Sequence, residues 1–70
     1  MSTLDERIRF ALELRNMSQA DLARATGMST ALIAQICSGT TKDPRLGSVL
    51  KIAAALDVSL DFLAGRNAND

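Results

Sequence analysis

The sequence predicts an all-α protein, a compact five-helix bundle, on three observations. Apolar residues recur at the three- and four-residue spacing of a helix along most of the chain. Four of the five periodic segments open on Thr or Ser, and four have Asn or Gly just past their ends. A single Pro and 47% hydrophobic residues in 70 positions suit a packed domain rather than a disordered chain. That length accommodates one domain, whose core hides only roughly 60% of the surface of the unfolded chain, so its stability is modest.

The first helix opens on Thr3, which forms a capping box with Glu6. Leu4, Ile8, Ala11, Leu12 and Arg15 supply its stripe, which stops at Asn16, a residue that tolerates a left-handed turn. Ser18 caps the second helix with Asp21 three positions on. Met17 staples it from outside, Leu22 and Ala23 face inward, and Gly27 ends it. After a short turn, Ser29 caps the third helix and Gly39 ends it. Its stripe of Leu32, Ile33, Ile36 and Cys37 points inward, which leaves Thr30, Ala31, Ala34, Gln35 and Ser38 on the opposite face. That face is small, polar and uncharged, where an ordinary solvated face carries Lys and Glu. The polar loop "TTKDP" follows. In the fourth helix Leu46, Val49, Leu50, Ile52, Ala53 and Leu56 predict a broad buried face. Its first turn lacks a good cap and contains Gly47, at a cost of about 1 kcal/mol relative to Ala. Ser59 caps a last helix from Leu60 to Ala64, whose Leu60, Phe62 and Leu63 read as core with part left for dimer contact. Gly65 precedes the polar tail "RNAND", so the domain is expected over 1–65 and the tail over 66–70.

Composition narrows the function. Lys plus Arg and Asp plus Glu are both 8, so any polyanionic partner must be argued from local charge. With no His, one Cys and scattered carboxylates, there is no metal-ligand spacing, no paired nucleophile and base, and no phosphate-cradling glycine loop. The expectation is a protein that is not an enzyme and needs no cofactor. Cys37 has no partner for an internal disulfide and reads as a small buried hydrophobe. No apolar run approaches the ~20 residues of a membrane span and the start lacks a signal-peptide core, so the expected location is the cytoplasm.

The functional signal lies between Ser18 and Gly39. Gln19, Ala23, Gly27, Met28, Ile33 and Ile36 fall where a helix-turn-helix needs them. A small residue stands where two helices cross, a glycine where the backbone turns left-handed, and apolar residues where the third helix locks onto the second. With "MSQADLARATGMS", "GTTKDPRL" and "LKIAAALDVSLDFL" in that order, the chain resembles the lambda-repressor-like domains of phage repressors and Cro proteins, the XRE family. The resemblance runs from Leu4 to Gly65.

That resemblance implies a sequence-specific DNA-binding transcriptional regulator, a repressor, whose third helix enters the major groove of a pseudo-palindromic operator as a homodimer. It assigns base-facing positions to Ser29, Thr30, Ala31 and Gln35, with Gln35 suited to two hydrogen bonds to adenine. It places Gln19 on a phosphate beside the amides that open the second helix. Thr40, Thr41, Lys42 and Arg45 continue the phosphate line from the loop. Short side chains on the third helix let it approach base edges, and Ala or Thr can meet a thymine methyl. Taken alone, Thr30, Ala31 and Ala34 are ordinary helix residues and Gln35 a solvated one; the motif context supplies the functional reading. Local charge agrees, since no Asp or Glu occurs between Asp21 and Asp43 while Arg24 and Lys42 do. The chain departs from its relatives in having no Arg or Lys on the exposed face of the third helix, and Leu12 and Cys37 where they often place a paired Arg and Glu. The alternative implied by the same resemblance is an antitoxin-type module that binds a partner protein as well as DNA. Both a stand-alone regulator and the first domain of a longer repressor fit the sequence.

Overall fold

Five helices follow one another with short connections in the computed structural model, which describes residues 3–65. They are α1 (Leu4–Leu14), α2 (Gln19–Thr26), α3 (Thr30–Ser38), α4 (Leu46–Leu56) and α5 (Leu60–Leu63), and the described residues contain no strand. The predicted 66–70 tail lies outside the described residues.

The ends of the helices are set by local chemistry. Thr3 N–H donates to Glu6 Oε1 at 2.8 Å at the start of α1. Ser18 and Asp21 exchange bonds at the start of α2: Asp21 N–H donates to Ser18 Oγ at 3.0 Å and Ser18 N–H to Asp21 Oδ2 at 2.9 Å. Ser29 Oγ accepts from Leu32 N–H at 3.1 Å, and Ser59 Oγ accepts from Phe62 N–H at 3.0 Å. Each such cap satisfies an amide that the helix leaves unpaired and contributes about 1 kcal/mol. Arg45 opens α4 with no side-chain cap, as the sequence predicts. Gly27 and Gly39 end α2 and α3 at φ 73° and 83°, a region that favours glycine because it has no Cβ to clash. Asn16 and Asp57 take the same left-handed turn after α1 and α4, the second without any signal in the sequence.

Packing then joins the helices into one core. Ile8, Leu22, Ile33, Ile36, Ile52 and Leu56 are fully buried in a single apolar cluster drawn from four helices, and Leu63 adds the fifth. α2 packs on α3 and α4, α1 on α3 and α5, and α4 on α5. Burial of α4 is narrower than expected. Ile52, Ala53 and Leu56 are buried, but Leu46 is 66% exposed and Leu50 47%. The reason is geometric: α4 packs chiefly on α2 and α5, and the row holding Leu46 and Leu50 turns past the strip those neighbours cover. Leu60 is likewise 38% exposed, while Leu63 is buried and Phe62 half-buried.

Two arginines of α1, Arg7 and Arg9, and Arg15 at its C-cap reach the C-terminal ends of three other helices. Arg7 Nη1 donates to Phe62 O in α5 at 3.1 Å, with its guanidinium over the Phe62 ring. Arg9 Nη1 donates to Cys37 O in α3. Arg15 Nε and Nη2 donate to Leu56 O and Asp57 O at the end of α4, at 2.8 and 2.9 Å. A cation there meets carbonyls of the last helical turn, of which Phe62 O also accepts from Gly65 N–H, and the negative end of the helix dipole. The sequence places Arg15 on the apolar stripe of α1; the structure puts it at the rim of the stripe, where its head serves α4.

Candidate functional site

α3 lies against α1 and α2 along its apolar side. Ile33, Ile36 and Cys37 are buried and Leu32 is half-buried. Burial pushes the Cys37 thiol above its ordinary pKa, with nearby Arg9 opposing, so it is the inert core residue its position suggested. On the other side Ser29, Thr30, Ala31, Ala34, Gln35 and Ser38 are all exposed. No charged residue occurs in α3, so the face is a strip of methyl, hydroxyl and amide groups. Ser29 Oγ caps the helix, and its hydroxyl proton is left for an outside acceptor.

The turn that presents this helix is tied down from within. Thr26 Oγ1 donates back to Leu22 O at 2.8 Å and accepts from Met28 N–H at 3.3 Å, while half-buried Met28 packs on the core. Gln19 is exposed as the first residue of α2. Beside it the Asp21 carboxylate is held below its ordinary pKa, first by the Ser18 amide, then by the Ser18 hydroxyl and Arg24. Arg24 is paired with Asp21 in turn.

Past Gly39 the loop folds back on the end of α3. Gln35 O accepts from Thr41 N–H at 3.1 Å and from Ser38 Oγ at 3.1 Å, and Ser38 Oγ lies 2.9 Å from Thr40 Oγ1. Thr40 is exposed but engaged within the loop, and Thr41 is half-buried, so its amide serves the fold. Thr41 and Arg45 line one hollow with Leu32, Ile36 and Ser48, which joins them to α3. Lys42 and Thr41 also line a hollow with Asp5, Glu6 and Arg9 of α1, and Lys42 shares a third hollow with Asp43 and Arg45. Lys42 and Arg45 are exposed, and neither forms an ion pair among the described residues. The structure therefore gathers Ser29, Thr30, Ala31 and Gln35 on one helix face with Thr40 and Thr41 bonded into the loop at its C-terminal end, and sets Lys42 and Arg45 farther along that loop, each sharing a hollow with an acidic side chain.

Sequence reasoning missed Arg9. It falls on the polar side of α1, and no period reveals that its head meets α3. The available signal is indirect: the last turn of α3 holds no basic residue of its own.

In chemical terms the surface offers neutral donors and acceptors on a close-approaching helix, with cations at its margin. Among the described residues no group of three His, Cys, Asp or Glu is placed to hold a metal ion, and no helix is long and apolar enough to cross a membrane.

Comparison with known proteins gives the same segment. The family profile described as helix-turn-helix matches residues 8–63. The chain is 44% identical over 64 residues to the helix-turn-helix-type transcriptional regulator for conjugative element SXT of Vibrio cholerae, and equally to that for conjugative element pMERPH of Shewanella putrefaciens. Each match covers 91% of this chain and 29% of the relative. An uncharacterized helix-turn-helix-type transcriptional regulator of Sinorhizobium fredii is 37% identical over 57 residues, 81% of this chain and 29% of its own. The chain thus spans under a third of the length of these relatives. No solved structure matches it.

Proposed function

The chain belongs to the helix-turn-helix family, and from that premise we propose that it is a sequence-specific DNA-binding transcriptional regulator, a repressor that inserts α3 into the major groove of a pseudo-palindromic operator. One observation carries this reading: the exposed face of α3 has no charge and no side chain longer than Gln35. Such a face lets the helix backbone approach base edges, whereas a solvated face needs no such restriction. Gln35 suits the paired donor and acceptor of adenine, and the methyls of Thr30 and Ala31 suit thymine. Gln19, Thr40, Thr41, Lys42 and Arg45 take the phosphates, Thr41 through its side chain, since its amide is already bonded.

A homodimer matches a two-fold operator, and the Leu46 and Leu50 side chains left exposed on α4 supply apolar area for it. A second reading, an antitoxin-type module with a partner protein, is favoured by a separate apolar pair, Phe10 and Leu14, exposed at 57% and 61% on α1. Selection of bound duplexes from random DNA is the test. Enrichment of a two-fold-related sequence is expected, and failure to enrich any sequence at low salt would sink the DNA reading.

A further inference from the structure

We infer that Arg9 is a positioning residue for α3: it fixes where the proposed base-facing side chains stand, so its loss costs discrimination among DNA sequences rather than affinity for DNA in general. This rests on the reading of α3 as the helix that meets DNA.

Several observations converge on the end of α3. Its last turn carries no basic residue, although its final carbonyls lack helical partners and hold the negative end of the helix dipole. Arg9 supplies the missing cation from α1. Its Nη1 donates to Cys37 O and, at 2.9 Å, to Asp5 Oδ2, so one nitrogen joins both helices. The Asp5 carboxylate also sits so close to Gly39 that a Cβ there would meet it at 3.1 Å. The C-terminal turn of α3 is thereby seated on the Asp5 and Arg9 pair.

The rest of the seating of α3 is apolar: Ile33, Ile36 and Cys37 bury one side of it. Close packing of those side chains locks the middle of the nine-residue helix, and the directed bond from Arg9 adds a fixed reference for its last turn, whose outward half has no packed neighbour among the described residues. Gln35 belongs to the same last turn, and its carbonyl anchors Thr41 and Ser38. A binding side chain must be held to within about 0.5 Å of its productive position to act. Release of Cys37 O would free that turn, and the loop bonded to it, to shift together.

The molecule contains its own control. Arg15 makes the same kind of contact at the end of α4, a helix with no proposed base contact. The experiment compares the 70-residue chain with Arg9→Ala, Arg9→Lys and Arg15→Ala. Each is titrated by fluorescence anisotropy, across a salt series, against the duplex enriched by the wild type and a shuffled duplex of equal length. Arg9→Ala is expected to lower the affinity ratio of the two duplexes about 3- to 30-fold with its salt slope unchanged. Arg15→Ala is expected to lower the melting temperature and keep the ratio. Arg9→Lys is expected to recover part of the ratio, because an ammonium serves one of the two partners at a time. Without DNA, the Gly39 and Thr41 amides should exchange hydrogen faster in Arg9→Ala than in Arg15→Ala. An unchanged ratio in Arg9→Ala, or an equal fall in Arg15→Ala, overturns the positioning role. So does a salt slope reduced by about one, which would make Arg9 a phosphate contact. If Arg9→Ala does not fold, Arg9→Lys and Asp5→Asn carry the same comparison. If the wild type enriches no duplex, the DNA reading fails, and the exchange rates alone then decide whether Arg9 holds α3.

Discussion

Gln35 and Lys42 are both exposed and polar, yet they stand differently on the proposed surface. Gln35 is on the outward face of α3 one turn beyond Ala31, and Lys42 is in the loop past Gly39, sharing a hollow with Asp5 and Glu6. Gln35→Ala is therefore expected to lose roughly 1–3 kcal/mol on the preferred operator and to relax preference at one symmetric pair of positions. Lys42→Ala should weaken all duplexes alike and lower the salt slope by about one. Titration against single-base operator variants checks both; uniform weakening by Gln35→Ala would make it another backbone contact. A second pair of residues concerns stability. Leu12 and Cys37 both belong to the buried cluster, and nearby Arg9 is already paired with Asp5, so Cys37→Glu alone buries a carboxylate without a free partner at a cost of about 3–5 kcal/mol. Adding Leu12→Arg should return part of that loss, measured by urea unfolding of both single variants and the double one. Simple additivity would mean that the two side chains do not meet.

At the scale of a helix, capping decides more than propensity. α2 and α3 have 8 and 9 residues, too short to persist alone in water, and each begins on a serine whose hydroxyl takes an unpaired amide. The cap of α2 also depends on pH. Hydrogen bonds from the Ser18 amide and hydroxyl, with Arg24 adding, hold the Asp21 pKa below its ordinary value. A carboxylate with a depressed folded pKa contributes stability above the unfolded pKa of about 3.9, and that contribution is lost as pH falls through the folded value. The wild type is thus expected to be more stable than Asp21→Asn at neutral pH, with the gap closing in acid. Urea midpoints of both proteins between pH 7 and pH 2 check this, and a gap independent of pH would show that the charge is irrelevant.

For the whole molecule the question is where the cations go. The chain is neutral, with 8 basic and 8 acidic residues. Arg7, Arg9 and Arg15 are committed to carbonyls at helix ends, and Arg24 is paired with Asp21. Around the proposed surface that leaves Lys42 and Arg45 as cations without an ion pair among the described residues. A protein with so few phosphate neutralisers is expected to show a shallow dependence of log affinity on log salt, about two to four per half-site. Anisotropy across a salt series measures it. A much steeper slope would mean that cations outside this surface meet the DNA.

The sequence by itself determined the helices and, apart from the left-handed turn at Asp57 after α4, their ends, because those depend on neighbours within one turn. Ser18 with Asp21, Ser29, Gly27 and Gly39 act through bonds and backbone angles that need no distant partner. It also determined the inward and outward faces of α3, since a helix with one stripe of large apolar residues has a single way to bury it. Tertiary structure alone decided how much of α4 is covered. The residues of α4 are apolar around much of its circumference, and only the placement of α2 and α5 leaves Leu46 and Leu50 outside. It decided the arginines of α1 and its C-cap as well. Arg7, Arg9 and Arg15 look alike in sequence, but each meets a carbonyl 55, 28 or 41 positions away, and no local pattern encodes a contact made by the crossing of two helices.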